Sequence, residues 1–294
     1  MIVECVPNFS EGRDTKVLDV ISQAIEAYVP LLHRSSDTDH NRTVFTFAGE
    51  PWPLQDAAIS AIAAAQERLD LRRHTGVHPR YGVADVVPFV PVSGITMAET
   101  AYLARNFGKR IWRELGIPVY LYEAAAQEFR GLEYLRKNIP LGLEPDYGSG
   151  QHPTAGVICL GARKFLIAWN INLHSKSLEA AKQIAKEIRQ SNGGLPGVKA
   201  LGIALESRGQ VQVSINLVDF EASPLHVVYQ AVESRCRERG IAIAGSELIG
   251  LIPQAAVDLS AGFDLRWENF SAESILENRL TARLTNPGTS ASRS

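Results

Sequence analysis

Cysteine is scarce in this 294-residue chain: only Cys5, Cys159 and Cys236 occur, odd in number and far apart. That spacing excludes a disulfide framework and a zinc site built on paired cysteines, and it fits a reducing cytoplasm. Charge of one sign is lacking too, since 30 Lys and Arg face 32 Asp and Glu for a net charge of −2. Nothing therefore marks a polyanionic partner, and no nucleic acid is expected. The chain begins MIVECVPNF, without a basic start and a following apolar run, and no apolar stretch approaches the ~20 uncharged residues of a membrane span. Neither secretion nor a membrane is expected. Phosphate loops of the GxxxxGK[ST] type, dinucleotide fingerprints and HExxH metal motifs are also missing, so no metal is expected.

What is present is an apolar fraction of 45% arranged in two alternating periods, enough for two compact domains. Ile2 to Val6 has the period of a strand, and Pro7 and Gly12 close it into a loop that enters a helix near Asp14. Val17, Leu18, Ile21, Ile25 and Tyr28 fall on one face of that helix. Strands are expected around Leu31 to Leu32 and Thr43 to Phe47, joined by the polar loop SSDTDHNR, then an Ala-rich helix from Leu54 to Leu69 and a strand from Val83 to Val92. Thr96 followed by Glu99 reads as a capping box for a helix to Leu115, buried along Ala104, Phe107, Ile111 and Leu115. Val119 to Tyr122 is a further strand.

The second half repeats the plan. Phe165 to Leu173 is a strand, and Leu178, Ala181, Ile184 and Ile188 line a helix that stops at Asn192 and Gly193. Strands at Lys199 to Leu205 and Val211 to Leu217 flank a turn at Ser207 to Gly209; Ser223 and Pro224 open a helix that Gly240 ends, and Ile241 to Ala244 returns as a strand. Strand, helix, strand, strand, helix, strand is the split βαβ order. The expected fold class is therefore α/β (α+β): two ferredoxin-like βαββαβ subdomains, the N-terminal one elaborated, each with helices on one sheet face. Domains are expected at 1–163 and 164–281, with a disordered tail at 282–294, where the sequence turns small and polar.

Polar side chains crowd three loops: Asn8 to Arg13, Ser35 to Arg42 and His74 to Asp85. The last opens the stretch HTGVHPRYGVADVVPFVPV, which sets two histidines, an arginine and an aspartate at the mouth of a strand. Histidine is the side chain that takes and gives a proton near neutral pH, which makes His78 the first catalytic candidate. Pro79 stiffens the turn, Gly76 and Gly82 allow close backbone approach, and Arg80 offers a fork for an anion. Asp37, Asp39 and Asn41 have the chemistry of turn formers, whose side chains bond their own backbone.

HTGVHPR, VECVPNFSEG (Val3 to Gly12), DHNRTVFTF (Asp39 to Phe47) and GARKFLIAWNINL (Gly161 to Leu173) together resemble the glutamate formimidoyltransferase family. NLVDFEASPLHVVY (Asn216 to Tyr229) and GSELIGLIP (Gly245 to Pro253) extend the likeness over nearly the whole chain. The resemblance implies transfer of the formimidoyl group of N-formimidoyl-L-glutamate to N5 of tetrahydrofolate as co-substrate, at the end of one route of histidine degradation. It places the catalytic histidine on His78. Arg42 and Arg80 become forks for the two carboxylates of the donor, and Asp39, Asn41 and Asp85 become candidates for the amidine side of it. Asp85 has two structural alternatives, orienting an imidazole or capping the start of its strand. The resemblance also implies that Gly148, Ser149, Gly150, Gln151, His152, Pro153, Thr154, Ala155 and Gly156 form a folate loop, in a groove between the subdomains. Its three glycines allow close approach, and Ser149, Gln151, His152 and Thr154 supply hydrogen bonds to a pterin edge. A homodimer is implied, and so is a separate cyclodeaminase partner, because that activity is not expected of this chain.

Two departures from the longer, bifunctional relatives stand out. Ser35 occupies a position where they have an aspartate, so any role of that carboxylate passes to Asp37 or Asp39 or is absent, and the region from Arg130 to Tyr147 is shorter. A folate-dependent formyltransferase working between 5-formyltetrahydrofolate and glutamate would use the same histidine and pterin loop. So would a non-catalytic folate-binding protein, against which an intact His78 with Arg80 argues.

Overall fold

A computed structural model describes residues 1–76, 80–205 and 208–285. The chain divides into two compact units: Met1 to Arg163 together with the stretch from Arg283 onward, and Lys164 to Ala282.

The first unit is a seven-stranded sheet grown from a ferredoxin-like centre. In chain order it contains β1 (Ile2–Cys5), β2 (Asn8–Phe9), α1 (Thr15–Glu26), β3 (Leu31–Asp37), β4 (Arg42–Gly49), α2 (Pro51–Arg68), β5 (Ala84–Ser93), α3 (Met97–Leu115), β6 (Val119–Glu123), α4 (Leu132–Asn138) and β7 (Ile158–Ala162). β1 and the short β2 lie antiparallel between β4 and β5, and β3 pairs with the far side of β4. β7 then joins β5 in parallel and β6 joins β7 in parallel, as expected for strands reached through helical crossovers. Leu18, Ile21 and Ile25 of α1, Leu54 and Ile62 of α2, and Phe107 and Ile111 of α3 pack on Phe45, Phe47 and Phe89 in one core.

Several boundaries differ from the sequence expectation. β2 and β7 were not anticipated: the first is two residues long, and the second is the brief run Ile158 to Ala162 that falls where a domain junction was expected. The first two residues of SSDTDHNR, with Asp37, continue β3 instead of forming loop. Tyr28 lies past the end of α1 and is half exposed, so it is not on the buried face. α4 places Leu135 and Ile139 against Tyr120, Tyr122 and Cys159 on the opposite sheet face, so the helices of this unit do not share one side.

The second unit holds β8 (Ile167–Leu173), α5 (Leu178–Ile188), β9 (Val198–Leu205), β10 (Gln210–Leu217), α6 (Leu225–Glu238), β11 (Ile243–Ile249), α7 (Gln254–Asp258) and, as far as Ala282, α8 (Leu276–Thr285). Its sheet has the order β11-β8-β10-β9, antiparallel throughout, which is the order of a βαββαβ sandwich. Trp169, fully buried at its centre, stacks on Tyr229 at 6.3 Å between ring centroids and meets Trp267 at 5.4 Å. Ser223 is not the helix cap: its hydroxyl donates to the Pro196 carbonyl at 2.7 Å, and Pro224 stands at the cap position of α6. The returning strand begins at Ile243 and runs to Ile249, later and longer than expected. Ser207 of the expected turn lies outside the described residues. The same holds for 286–294 of the expected tail, while α8 continues past residue 282 to Thr285.

The capping box at α3 is present as expected: the Glu99 N–H donates to Thr96 Oγ1 at 3.2 Å, and the Glu99 carboxylate accepts from the Thr96 N–H at 2.8 Å. Thr96→Ala removes the acceptor and should cost about 1 kcal/mol of stability. A lower urea midpoint at unchanged slope is the expected result; an unchanged midpoint would mean that the box contributes nothing.

Candidate functional site

The three polar loops meet at one end of the first sheet. Topology accounts for this, because β1 and β2 run antiparallel to β4 and β5, so the chain leaving β2 passes the starts of both neighbours. Gly12 lies so close to the β3–β4 turn that a Cβ there would sit 2.3 Å from the Asp37 carbonyl, and its N–H donates to Asn41 Oδ1 at 2.8 Å. Ser10 ties the same loop to β5: its N–H reaches the Val83 carbonyl at 2.8 Å and its hydroxyl the Gly82 carbonyl at 2.7 Å.

Phe9, Ser10, His40, Asn41, Arg42, Arg80 and Asp85 line a small pocket at this junction. Four sequence candidates, Asn41, Arg42, Arg80 and Asp85, are thus brought together. Asp39 is not among the lining residues; it is exposed, and its N–H donates to Asp37 Oδ1 at 2.9 Å. Asn41 adopts a left-handed backbone at φ 49 and uses its side chain as a clamp, accepting from Gly12 and donating to the Thr75 carbonyl at 3.0 Å. Its carboxamide is a scaffold between loops distant in sequence, not the bond to its own turn that is expected of a turn former.

Asp85 is buried and its two oxygens are engaged: Oδ1 accepts the Tyr81 N–H at 2.7 Å and Oδ2 accepts from the Arg136 guanidinium at 2.6 Å. Of its alternatives, capping the start of β5 describes the bonds. Arg136 comes from α4, where its guanidinium also sits 5.9 Å above the Tyr81 ring, and the sequence reading missed it. Arg42 reaches the Asn8 carboxamide oxygen, and Arg80 donates to the Gly76 carbonyl at 2.5 Å. Burial pulls both guanidinium groups below their ordinary value, opposed at each by the Asp85 carboxylate and reinforced at Arg42 by Arg136. Both remain cations beside the Asp85 carboxylate, which Arg136 already pairs from behind. A pocket of that kind favours an anionic ligand.

Asp37 binds Nδ1 of His40 at 2.6 Å and accepts the backbone N–H of Asp39 and of His40. Partial burial raises its carboxyl, but these bonds outweigh burial and leave it below the ordinary range. The grip on the turn is complete above the ordinary carboxylate value and is lost as pH falls through the lowered one. Ser35 stands inside β3, paired across the sheet with Val44 of β4. His74 sits within 3.1 Å of the Asn41 carbonyl through Nε2, while its buried Nδ1 has no partner among the described residues. His78 lies outside the described residues, between Gly76 and Arg80 in the chain.

The Gly148 to Gly156 segment lies wholly within the first unit. It leads into β7, inside the first unit, and Gly156 bridges Gly82: the Val83 N–H donates to the Ala155 carbonyl at 3.0 Å, and the Val157 N–H to the Tyr81 carbonyl at 2.8 Å. Gly156 is obligatory there, with φ 71 and a Cβ position 2.0 Å from the Tyr81 oxygen. His152 turns inward, its Nδ1 accepting from Ala155 N at 3.0 Å and its Nε2 lying 3.1 Å from Gln66. His152, Thr154, Ala155 and Gly156 therefore fix the loop, whereas Ser149, Gly150, Gln151 and Pro153 are exposed. Among the described residues no group of three His, Cys, Asp or Glu is placed to hold a metal ion.

Arg136→Ala strips a buried carboxylate of its counterion and should cost about 3 kcal/mol, the low end for breaking such a pair because Arg136 is partly exposed. Adding Asp85→Asn should restore part of the loss. Equal stability of the single variant and wild type in urea would show that the ion pair is not what holds this corner.

Two family models cover the chain: that of the N-terminal subdomain of the formiminotransferase domain matches residues 2–163, and that of the formiminotransferase domain matches residues 168–284. Glutamate formimidoyltransferase of Streptococcus pyogenes serotype M1 is 42% identical across 95% of this chain and 98% of its own length. The glutamate formimidoyltransferase of Thermoplasma acidophilum is 39% identical across 95% and 97%. Formimidoyltransferase-cyclodeaminase of Rattus norvegicus is 42% identical across 89% of this chain, which spans 52% of that longer protein. On these matches, which run through both units, the chain belongs to the formiminotransferase family.

Proposed function

We propose that this protein transfers the formimidoyl group of N-formimidoyl-L-glutamate to N5 of tetrahydrofolate, giving 5-formimidoyltetrahydrofolate and L-glutamate. The observation that carries the reading is the pocket lined by Arg42 and Arg80, whose carboxylate Asp85 is already paired with Arg136 of α4. Its surplus of guanidinium charge suits a donor that ends in two carboxylates, and Arg42 and Arg80 are the lining residues that would hold them. Asp85 keeps the loop and α4 in register beneath the donor.

Proton transfer falls to His78, in the segment that Gly76 and Arg80 bracket. As the N5–carbon bond forms, His78 accepts the proton that N5 loses. As the bond from carbon to the glutamate nitrogen breaks, His78 returns a proton to that nitrogen. Such shuttling is worth ~10²–10⁴-fold, and orientation of the two substrates supplies more of the acceleration. Folate would meet the exposed tip Ser149 to Gln151, whose polar groups remain available. The product would feed a separate cyclodeaminase at the end of histidine degradation in the cytoplasm, and the reading requires no metal.

A paired-donor assay with purified protein tests this directly. Turnover with formimidoyl-glutamate and tetrahydrofolate is expected to exceed turnover with 5-formyltetrahydrofolate and glutamate; the reverse order would replace the donor assignment, and inactivity with both would leave a folate binder. His78→Ala should lower kcat by ~10²–10⁴-fold while folate affinity stays within a few-fold, and near-normal turnover would remove His78 from the mechanism.

Arg80→Gln should raise KM for formimidoyl-glutamate roughly tenfold or more, with little change for tetrahydrofolate, if a charge-assisted fork of about 1.5–3 kcal/mol is lost. Gln151→Ala should do the opposite. Both variants shifting the same KM would contradict the division of the site between the two loops.

A further inference from the structure

Arg42 and Arg80 take the donor's two carboxylates in the proposed reaction, which leaves its third charge, the amidinium, without a partner. Asp85 has both oxygens committed, to the Tyr81 N–H and to Arg136. The Asn41 carboxamide is spent on Gly12 and Thr75, and Asp39 does not line the pocket. Guanidinium groups have no acceptor atoms. The Ser10 hydroxyl gives its hydrogen to the Gly82 carbonyl, and its oxygen is an uncharged acceptor. His40 is the remaining polar side chain among the described lining residues.

A neighbouring carboxylate prepares His40 for that charge. Asp37 Oδ2 binds Nδ1 of the ring at 2.6 Å, while its Oδ1 accepts the backbone N–H of Asp39 at 2.9 Å and of His40 at 2.8 Å. An ionised carboxylate only accepts hydrogen bonds, so the ring hydrogen is held on Nδ1, and in the neutral imidazole the other nitrogen, Nε2, is then the acceptor. The side chain is half-exposed and lines the pocket, within reach of a ligand there. With Asp37 ionised behind a neutral ring, the pair as a whole is negative, which suits a cation.

We infer that the Asp37–His40 pair selects a formimidoyl donor over a formyl donor: His40 Nε2 accepts a hydrogen bond from the amidinium N–H, and Asp37 is the positioning residue that fixes the tautomer of the ring. This rests on the donor assignment of the proposed function and adds to it the residue that tells the two one-carbon groups apart. They differ at one atom. Formimidoyl carries a nitrogen that donates and shares a positive charge, whereas formyl carries an oxygen that only accepts. Set against Nε2, the first makes a charge-assisted bond, and the second brings two acceptors face to face. His40 stays neutral in this role, so the turn that it and Asp37 hold is undisturbed, and proton transfer remains with His78.

Calorimetric binding of N-formimidoyl-L-glutamate and of N-formyl-L-glutamate to the full chain, with turnover of each on tetrahydrofolate, tests the assignment. His40→Asn can still donate from its carboxamide to Asp37 and so keeps the turn, but it lacks the Nε2 acceptor. Its affinity for N-formimidoyl-L-glutamate should fall roughly 10–100-fold, as for the loss of a hydrogen bond to a charged group, while affinity for N-formyl-L-glutamate and KM for tetrahydrofolate stay within a few-fold. His40→Gln, whose Oε1 can stand where Nε2 stood, should recover part of the loss. In Asp37→Asn the amide oxygen goes on accepting the two backbone N–H groups, the nitrogen that replaces Oδ2 can only donate, and the ring hydrogen moves to Nε2. Preference should then shift toward N-formyl-L-glutamate, which a purely structural role for Asp37 would not produce. Equal losses for both donors in His40→Asn, no loss for either, or an Asp37→Asn protein with wild-type preference would each overturn the assignment while the transfer reaction stands. Failure of the wild-type protein to bind and turn over N-formimidoyl-L-glutamate would instead remove the donor assignment, and this inference with it.

Discussion

The carboxylate of Asp85 holds the candidate site together. It is buried at the start of β5, and its two oxygens reach in different directions, one to the Tyr81 N–H at 2.7 Å and the other to Arg136 of α4 at 2.6 Å. A buried charge of this kind persists only with a counterion and hydrogen bonds, since desolvating it alone costs several kcal/mol. The consequence is geometric. The chain following the His74 to Arg80 segment, the first residues of β5 and a helix on the far sheet face are fixed to one another through a single side chain. Gly82 and Gly156 complete the arrangement, because only backbone without side chains lets the folate-loop candidate lie against the residue that precedes β5.

Around that point the ferredoxin-like topology determines which loops meet. A strand placed antiparallel between β4 and β5 delivers the segment after it to the starts of both, so the NFSEG loop, the β3–β4 turn and the mouth of β5 share one end of the sheet. The added strands β7 and β6 extend the sheet in parallel on the β5 side and bring α4, with Arg136, under that end. The elaboration of the first unit thus supplies a site residue, while the second unit keeps the plain four-stranded order.

Much of this was legible in the sequence where one signal governed one element. Periodicity located the long helices and central strands, Thr96 and Glu99 marked a cap that is present, and the cluster Asn41, Arg42, Arg80 and Asp85 does line one pocket. What escaped depended on tertiary pairing. β2 is two residues that become a strand only because β4 and β5 lie on either side, and β7 is too short, with Gly161 inside it, to stand out from a junction. Ser223 has the residue type of a cap but donates its hydroxyl to Pro196, a partner far away in sequence. Arg136 stands in an ordinary amphipathic turn, and nothing local distinguishes it from a solvated arginine. His40 likewise gave no signal of its own, although DTDHNR already contained the carboxylate that binds it.

The charges of the pocket then limit what each residue can do. Asp85 has both oxygens committed, and Asn41 has both ends of its carboxamide committed, so neither is a proton carrier. The arginines stay charged despite burial, which suits them to holding anions and not to exchanging protons. Within this pocket, acid–base chemistry is left to imidazole. His40 is bound to Asp37, and that pairing also holds the β3–β4 turn, so changing the charge of either would disturb the scaffold. That leaves the histidine-bearing segment before Arg80 as the place where the proposed proton carrier is sought, on the residue chemistry of HTGVHPR.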